Sequence, residues 1–226
     1  MQIDDWRSSL SVVRLVAFDL DGTLVDSLRD LAESANQLLV DSGGAELPHD
    51  VIGAMVGDGA ATLVAKAFAA SRLSQPADAL PRFLAIYNAR LLRFTRPYVG
   101  IPEVLDALSS RVRLAVLTNK PLMPTRQILE GLELARFFPS EDVIGGDGPW
   151  GRKPDPAGLL HLAARAGAQV SDTTLVGDSV FDWRTARAAG ARAVLAGYGF
   201  GFANVVRADL DGAAIVDSPI DLLGVL

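Results

Sequence analysis

The sequence predicts a doubly wound α/β fold, a parallel sheet with helices on both faces, and an all-helical segment inserted after the first strand. Short apolar runs alternate with helical patterns along most of the chain, as in consecutive βαβ units. The runs lack polar alternation, which is typical of strands buried on both faces. From residue 26 to about residue 96 helical periodicity replaces this alternation, and no strand pattern occurs.

Six apolar runs mark the predicted strands, and each ends in a polar or glycine-rich corner. They are residues 15–18, 114–117, 143–144, 175–176, 193–195 and 214–216. Four helices are predicted between them, over residues 103–108, 125–134, 156–166 and 181–189. Strands and helices in this order form a sheet whose helices pack on both of its faces.

The stretch between residues 26 and 96 predicts three helices. In the first, apolar residues recur at helical spacing from Leu28 to Leu39, after the capping residues Asp26 and Ser27. The second and third helices are predicted over residues 59–71 and 77–94. An insert of roughly 70 residues is large enough to be a small domain. We therefore expect an α/β core over 1–25 and 97–226 and a helical cap domain over 26–96.

Composition excludes several classes of protein. The 226 residues include 21 Lys and Arg against 27 Asp and Glu, and the net charge of −6 argues against a nucleic-acid partner. The absence of cysteine excludes disulfides, thiolate catalysis and Cys-ligated metals. No apolar run approaches a membrane span, and the acidic N-terminus is unlike a signal peptide. We expect a cytoplasmic protein without a membrane partner.

Polar side chains follow three of the predicted strands. Asp19 and Asp21 come directly after the first strand, Thr118 and Asn119 after the second, and Asp178 after the fourth. Ligands of open α/β sheets bind beyond the carboxyl ends of the strands, near the point where strand order reverses. We therefore expect these side chains to converge on one cleft.

The charges in this cleft predict a metal ion. Four carboxylates, those of Asp19, Asp21, Asp178 and Asp182, would repel one another, with Lys153 as the one expected cation. A hard divalent cation resolves the repulsion, and Mg²⁺ prefers oxygen ligands with retained waters. Together with a nucleophilic carboxylate and hydroxyl and amide donors, these are the groups that phosphoryl transfer through an aspartyl-phosphate requires. The expected partner is a small-molecule phosphate ester.

Four motifs in order resemble those of the haloacid dehalogenase superfamily of phosphohydrolases. They begin at Phe18, Leu117, Lys153 and Gly177 and read FDLDGTLVDS, LTNKP, KPDP and GDSVFD. The resemblance covers essentially the whole chain and implies a Rossmann-like core with a helical cap. A single Asp-x-Asp is common, whereas four motifs in order at strand ends are specific.

The resemblance implies a catalytic role for each matching residue. Asp19 would attack phosphorus and carry the phosphoryl group. Asp21 would protonate the leaving oxygen and then deprotonate the hydrolytic water. Thr118 would hydrogen-bond a phosphoryl oxygen, with Asn119 positioning nearby groups. Lys153 would neutralise charge in the transition state.

The resemblance also implies the metal ligands and the type of reaction. Asp19 and Asp178 would hold Mg²⁺, Asp182 would ligate it directly or through water, and Asp21 would contribute its backbone carbonyl. Dehalogenases of the superfamily lack the aspartate at the position of Asp21, because a halide leaving group needs no proton. The sequence therefore favours a phosphatase over a dehalogenase.

Within the superfamily the chain looks most like bacterial phosphoglycolate phosphatases. The supporting stretches are MVGDG at 55–59, VIGGD at 143–147 and GYG at 197–199. This likeness makes Gly22, Gly57, Asp58 and Gly59, together with Asn119, the candidate substrate-binding residues. Two departures stand out, Val99 where the family commonly has proline and a bulky PWGR stretch at 149–152.

The sequence is compatible with more than one substrate. 2-Phosphoglycolate is favoured, and its carboxylate needs a cation, for which the cap offers Lys66, Arg72, Arg90 and Arg93. A sugar-phosphate phosphatase or a β-phosphoglucomutase-like phosphotransferase is the alternative, and a non-catalytic binding protein on the same fold is a remote one. The protein is expected to be a monomer or homodimer.

Overall fold

The predicted parallel sheet is confirmed in a computed structural model, which describes residues 13–207 and 210–226. The strands of the described residues are, in chain order, β1 (Leu15–Phe18), β2 (Val25–Asp26), β3 (Arg96–Pro97), β4 (Arg113–Leu117), β5 (Val143–Ile144), β6 (Thr173–Gly177), β7 (Arg192–Ala196) and β8 (Ala214–Val216). Six of them form one parallel sheet in the order β5-β4-β1-β6-β7-β8. The acidic N-terminus discussed above lies outside the described residues.

The strand order places a topological switch point at β1. The chain passes from β1 to β4 and β5 on one side, then returns to β6, β7 and β8 on the other side. Phe18, the last residue of β1, lies opposite Val116 of β4 and Val176 of β6. The carboxyl ends of these three strands therefore lie side by side, where open α/β sheets bind ligands.

Helices cover the sheet and fill the insert. The α-helices of the described residues are α1 (Leu28–Val40), α2 (His49–Gly53), α3 (Gly59–Ala70), α4 (Ala79–Asn88), α5 (Ile101–Ser109), α6 (Leu122–Gly131), α7 (Ala157–Arg165), α8 (Val180–Ala189) and α9 (Leu222–Val225). The four helices expected between the strands correspond to α5–α8. None of the helices described is long and apolar enough to cross a membrane.

The core divides between the two faces of the sheet because strand side chains alternate. Val16 and Phe18 of β1 pack into a cluster that extends through α5 into the insert. Leu15 and Ala17 pack on the other face against Leu159 of α7 and its neighbours. Both faces of β1 are buried, which explains its uninterrupted apolar sequence.

Helices α1–α4, residues 28–88, form a helical insert between β2 and β3. α1 contacts each of the other three helices of the insert. The chain enters and leaves through an antiparallel pair in which Val25 lies opposite Pro97 and Asp26 opposite Arg96. Sequence patterning did not indicate this pair or α2. The division into a core and a cap domain at residues 26 and 96 stays a prediction.

The expected helix over residues 77–94 is wrong at its C-terminal end, because α4 stops at Asn88. Asp30 of α1 is fully buried and accepts hydrogen bonds from the backbone N–H groups of Phe94 and Thr95, at 2.9 and 2.8 Å. The Thr95 hydroxyl donates to the same oxygen at 2.8 Å. These bonds hold the chain in the conformation that leads into β3, and a continuing helix would lose them.

We predict that Asp30→Ala destabilises the protein by about 3 kcal/mol, because it leaves two backbone N–H groups and a buried hydroxyl without their acceptor. Urea denaturation would measure the free energy of unfolding. Asp106→Ala, an exposed position on α5, is the matched control and should change it by less than about 0.5 kcal/mol. Equal effects of the two substitutions would contradict the assigned role of Asp30.

Candidate active site

The candidate site lies at the switch point, on the carboxyl ends of β1, β4 and β6. Asp19 directly follows β1, and its N–H continues the ladder to Val176 at 2.8 Å. Thr118 follows β4, and its N–H donates to Ile144 at 3.0 Å. Asp178 follows β6. The predicted convergence of these strand-end residues is thus seen in the structure.

Three carboxylates form a buried acidic cluster. Asp19, Asp178 and Asp182 each offer an oxygen, and these oxygens lie within 4.8 Å of one another. Asp182 is held in the first turn of α8 by a capping box, because its Oδ2 accepts hydrogen bonds from the N–H and hydroxyl groups of Ser179, at 3.0 and 2.6 Å. Asp178 Oδ2 accepts a hydrogen bond from the N–H of Gly201 at 2.7 Å.

Lys153 places its ammonium group against this cluster. Its Nζ lies 2.6 Å from Asp182 Oδ1 and 2.8 Å from Asp19 Oδ1, and only 2% of the side chain is exposed. The side-chain amide of Asn119 binds both the N–H and the carbonyl group of Lys153. The amide oxygen of Asn119 accepts from the Lys153 N–H at 2.8 Å, and its NH₂ group donates to the Lys153 carbonyl at 3.0 Å.

Burial and mutual repulsion shift the pKa values of these groups. Burial raises the pKa of Asp19 to about 6; Lys153 opposes the shift, and the charge of Asp182 adds to it. Burial and the charges of Asp19 and Asp182 hold the pKa of Asp178 well above its usual range. Burial lowers the pKa of Lys153, but the carboxylates of Asp182 and Asp19 outweigh it and raise that pKa overall. One ammonium therefore does not offset the negative charge of the cluster.

The acidic cluster fits a divalent cation. Three carboxylates lie together in this buried cluster, and two of them, Asp19 and Asp178, have raised pKa values, so all three can ionise only if further positive charge lies between them. Their donor set is entirely oxygen, which suits a hard cation such as Mg²⁺. Asp21 lies outside this group of side chains. Its predicted contribution through the backbone carbonyl stays a prediction.

The side chain of Asp21 is directed to a second lysine. Lys120 Nζ lies 2.8 Å from Asp21 Oδ2 and 3.0 Å from Oδ1, and the Ser27 hydroxyl donates to Oδ1 at 2.5 Å. The expectation that Lys153 is the one cation of the cleft is therefore wrong. Lys120 stands as many residues after the end of β4 as Asp21 stands after the end of β1. Because β1 and β4 are neighbouring parallel strands, this equal spacing is the sequence feature that could have indicated the second lysine.

A pocket of about 580 Å³, part of it open to solvent, connects the strand ends to the helical insert. The core side of its lining consists of Asp19, Asp21, Thr118, Asn119, Lys120, Pro121 and Pro124. The insert side consists of Leu31, Val56, Gly57, Gly59, Ala60, Leu63, Phe83, Leu84 and Tyr87. Apart from Tyr87 and the two glycines, the insert contributes only apolar side chains.

Two of the predicted substrate-binding residues of the insert, Gly57 and Gly59, line the pocket, and Asp58 does not. The Gly57 carbonyl accepts a hydrogen bond from the Asn119 NH₂ group at 2.8 Å, which links the insert to the core. Gly22 lies against Asp178 and outside the pocket lining. Substrate binding by Asp58 and Gly22 stays a prediction.

None of the four cations proposed from sequence for a substrate carboxylate lines the pocket. Lys66, Arg72 and Arg93 are exposed on the surface of the insert. Arg90 is mostly buried and pairs with Glu33 and Asp30 of α1, so its charge is used within the insert.

The two departures from the family pattern lie beside the site. Val99 is 94% exposed, so no packing requires a proline there. Trp150 stacks on His161 of α7 with ring centroids 3.9 Å apart. Arg152 donates from Nε to the Gly146 carbonyl at 3.1 Å. The bulky stretch thus packs on the core at the base of the loop that carries Lys153.

Glycines allow the backbone to approach Asp178 closely. Gly22 has φ +83°, and a Cβ there would lie 1.8 Å from Asp178 Oδ2. A Cβ on Gly199 would lie 2.1 Å from the Gly22 carbonyl oxygen and 2.4 Å from the Asp178 Cβ. Gly22 is a predicted substrate-binding residue, and Gly199 belongs to the GYG stretch that carries the family likeness. In the structure both make room for this carboxylate.

Comparison with known proteins agrees with this geometry. The family model of haloacid dehalogenase-like hydrolases matches residues 16–196. The phosphoglycolate phosphatase of Rhodospirillum rubrum is 44% identical over 196 residues, 83% of this chain and 80% of that protein. That of Nitrosospira multiformis is 38% identical over 212 residues, 91% of this chain and 92% of that protein. The crystal structure of a predicted phosphoglycolate phosphatase from Haemophilus somnus has a TM-score of 0.86 at 29% identity, over 96% of this chain and 99% of that one.

The family match spans most of the chain and includes every residue of the acidic cluster together with Lys153. The two relatives of this chain named above are phosphatases, and the alignments cover 80% and 92% of their lengths. The chain therefore belongs to the haloacid dehalogenase-like hydrolase family and is one of its phosphatases.

Proposed function

We propose that the chain is a Mg²⁺-dependent phosphatase that hydrolyses a small phosphate monoester through an aspartyl-phosphate on Asp19. The observation that carries the proposal is the position of Asp19. Its carboxylate lines the pocket, belongs to the acidic cluster with Asp178 and Asp182, and lies 2.8 Å from the Lys153 ammonium. A buried carboxylate in these surroundings can attack phosphorus once nearby positive charge offsets its repulsion of the phosphate group.

In the first step, Asp19 attacks phosphorus, and the bond from phosphorus to the ester oxygen breaks. Asp21 supplies a proton to the departing oxygen and later removes one from the water that hydrolyses the intermediate. Ser27 and Lys120 hold the Asp21 carboxylate in position for both transfers. Thr118 Oγ1 accepts from the Lys120 N–H at 3.2 Å, so its own hydrogen stays available to donate to a phosphoryl oxygen.

Asp19, Asp178 and Asp182 would hold the Mg²⁺ ion, together with the backbone carbonyl of Asp21. When bound, the ion supplies positive charge that screens the carboxylates and polarises the phosphoryl group. Lys153 adds a fixed positive charge next to Asp19, where it would offset the negative charge that develops as the phosphoryl group is transferred.

Residues 26–96 are proposed to act as a cap over the pocket that selects the leaving group and excludes bulk water. Two features support this role. The insert supplies one wall of the pocket, and its Gly57 carbonyl is bonded to Asn119, which also holds Lys153. The residues at the cap boundary, Asp26 and Arg96, pair with each other in the short antiparallel connection.

2-Phosphoglycolate is the substrate that we favour, because relatives up to 44% identical are phosphoglycolate phosphatases. The net charge of −6 agrees with a small-molecule partner rather than a nucleic acid. We further propose that the protein is cytoplasmic, is a monomer or a homodimer, and has no membrane partner.

Asp19→Asn should lower the rate of phosphate release from 2-phosphoglycolate by about 10⁴-fold or more, because the amide cannot attack phosphorus. The measurement is inorganic phosphate released in the presence of Mg²⁺. Asp106→Asn, an exposed position on α5, is the matched control and should retain activity. Retained activity in the Asp19 variant would overturn the assignment. With β-glucose 1-phosphate, which has a free hydroxyl to receive the phosphoryl group, formation of glucose 6-phosphate without phosphate release by the unaltered enzyme would indicate a mutase instead.

The stabilisation of the folded protein by Mg²⁺ should depend on pH. A carboxyl whose pKa is higher in the folded protein than in the unfolded chain binds its proton more tightly when folded. For Asp19 the pKa rises from 3.8 to about 6, so the metal-free protein should lose stability as the pH rises through this range. Deprotonated carboxylates bind metal, and Mg²⁺ should therefore raise the Tm more at about pH 7.5 than at about pH 5.

Thermal unfolding in EDTA and in excess MgCl₂ at both pH values checks this expectation. In Asp178→Asn the increase in Tm caused by Mg²⁺ should largely disappear, because one of the proposed ligands is removed. An equal effect of Mg²⁺ at both pH values, or an unchanged effect in this variant, would contradict metal binding at the acidic cluster.

A further inference from the structure

We propose that Lys120 and Tyr87 form the subsite for a carboxylate on the leaving group, attached to the carbon next to the ester oxygen. The inference rests on the proposed function and adds to it the residues that determine specificity. The supporting observation is a buried ammonium and a buried phenol that contact each other in the pocket lining, of which the phosphoryl-transfer steps use only the ammonium, to hold Asp21.

Lys120 is the cation of the pocket that is closest to the leaving group. Its side chain is 5% exposed, and its Nζ lies 2.8 Å from Asp21, the residue that protonates the ester oxygen. Lys153, the other lysine of the site, is already engaged by Asp19 and Asp182. Among the residues that line the pocket, Lys120 supplies the positive charge on the side away from phosphorus.

Tyr87 presents an unused hydrogen-bond donor to the same space. The residue is 3% exposed, and its hydroxyl has no hydrogen-bond partner in the part of the chain that the structure describes. Lys120 Nζ lies 4.5 Å from the centroid of its ring. Burial raises the pKa of the Tyr87 phenol, which therefore keeps its proton. A buried hydroxyl without a partner is costly unless a ligand satisfies it.

The rest of the insert wall restricts the kind of leaving group. Leu31, Val56, Leu63, Phe83 and Leu84 offer no polar group to a substrate. The several hydroxyls of a sugar would lie unpaired against this wall, which disfavours sugar phosphates. A short leaving group with a single anionic end places its one polar group at Lys120 and Tyr87.

The spacing of the groups fits a carboxylate close to the ester oxygen. In such an ester the nearest carboxylate oxygen lies about 3 Å from the ester oxygen. Lys120 Nζ lies 2.8 and 3.0 Å from the two oxygens of Asp21. One substrate can thus contact Asp21 through its ester oxygen and Lys120 through its carboxylate. While Asp21 engages the ester oxygen, the substrate carboxylate supplies the counter-charge that a buried ammonium needs.

The experiment compares 2-phosphoglycolate with ethyl phosphate, which lacks the carboxylate, in the full-length enzyme with Mg²⁺. In Lys120→Met the ratio of the two kcat/KM values should fall by about 10-fold or more, because a charge-assisted hydrogen bond is lost. Tyr87→Phe should lower the ratio by about 3-fold to 10-fold. Lys66→Met, an exposed lysine on α3, is the matched control and should keep the ratio.

Inhibition separates recognition of the carboxylate from the positioning of Asp21, because no proton transfer is involved. The unaltered enzyme should bind 3-phosphonopropionate at least about 10-fold more tightly than propylphosphonate, and Lys120→Met should remove this preference. If both esters lose activity equally in Lys120→Met and the two phosphonates bind alike, Lys120 only positions Asp21 and the inference is wrong. Equal binding of the phosphonates to the unaltered enzyme overturns it without any variant. Failure of the proposed function has a different result, in which the unaltered enzyme hydrolyses neither ester.

Discussion

The arrangement of the site depends on the repulsion between buried carboxylates and the cations that offset it. Asp19, Asp178 and Asp182 lie close together where little water can screen their charges. Lys153 lies between two of them, yet the pKa values of Asp19 and Asp178 remain raised. This residual imbalance favours the binding of a cation, which in the proposed function would reduce the repulsion between the carboxylates and a phosphate dianion.

The fold achieves this concentration of charge by combining rigid strand ends with one held loop. Asp19 and Asp178 extend from adjacent parallel strands, and their separation is set by the spacing of the sheet. Lys153 comes from a loop, and Asn119 fixes that loop by bonding to both its N–H and its carbonyl. The same amide group reaches Gly57 of the insert. The side chain of Asn119 therefore connects the loop of Lys153, the end of β4 and the insert wall of the pocket.

Sequence could predict the sheet and the acidic cluster, because both depend on local pattern. Strands buried on both faces are apolar throughout, and residues directly after such strands meet at one edge. The equal spacing of Asp21 after β1 and of Lys120 after β4 could indicate that the two residues lie near each other, but their ion pair also depends on the direction of both side chains, which local pattern does not give. The end of α4 was missed for a similar reason. Helical periodicity continues past Asn88, but contacts with Asp30 from a distant part of the chain override it.

The glycines around Asp178 limit where the protein can diversify. Any side chain at Gly22 or Gly199 would displace the carboxylate or the backbone beside it. Gly199 and Gly201, in the loop after β7, are consequently committed to supporting Asp178 and cannot be replaced by residues with side chains that recognise a new substrate. Changes of specificity must then arise at other positions, such as the apolar lining of the helical insert, where a side chain can be exchanged without disturbing the charge cluster.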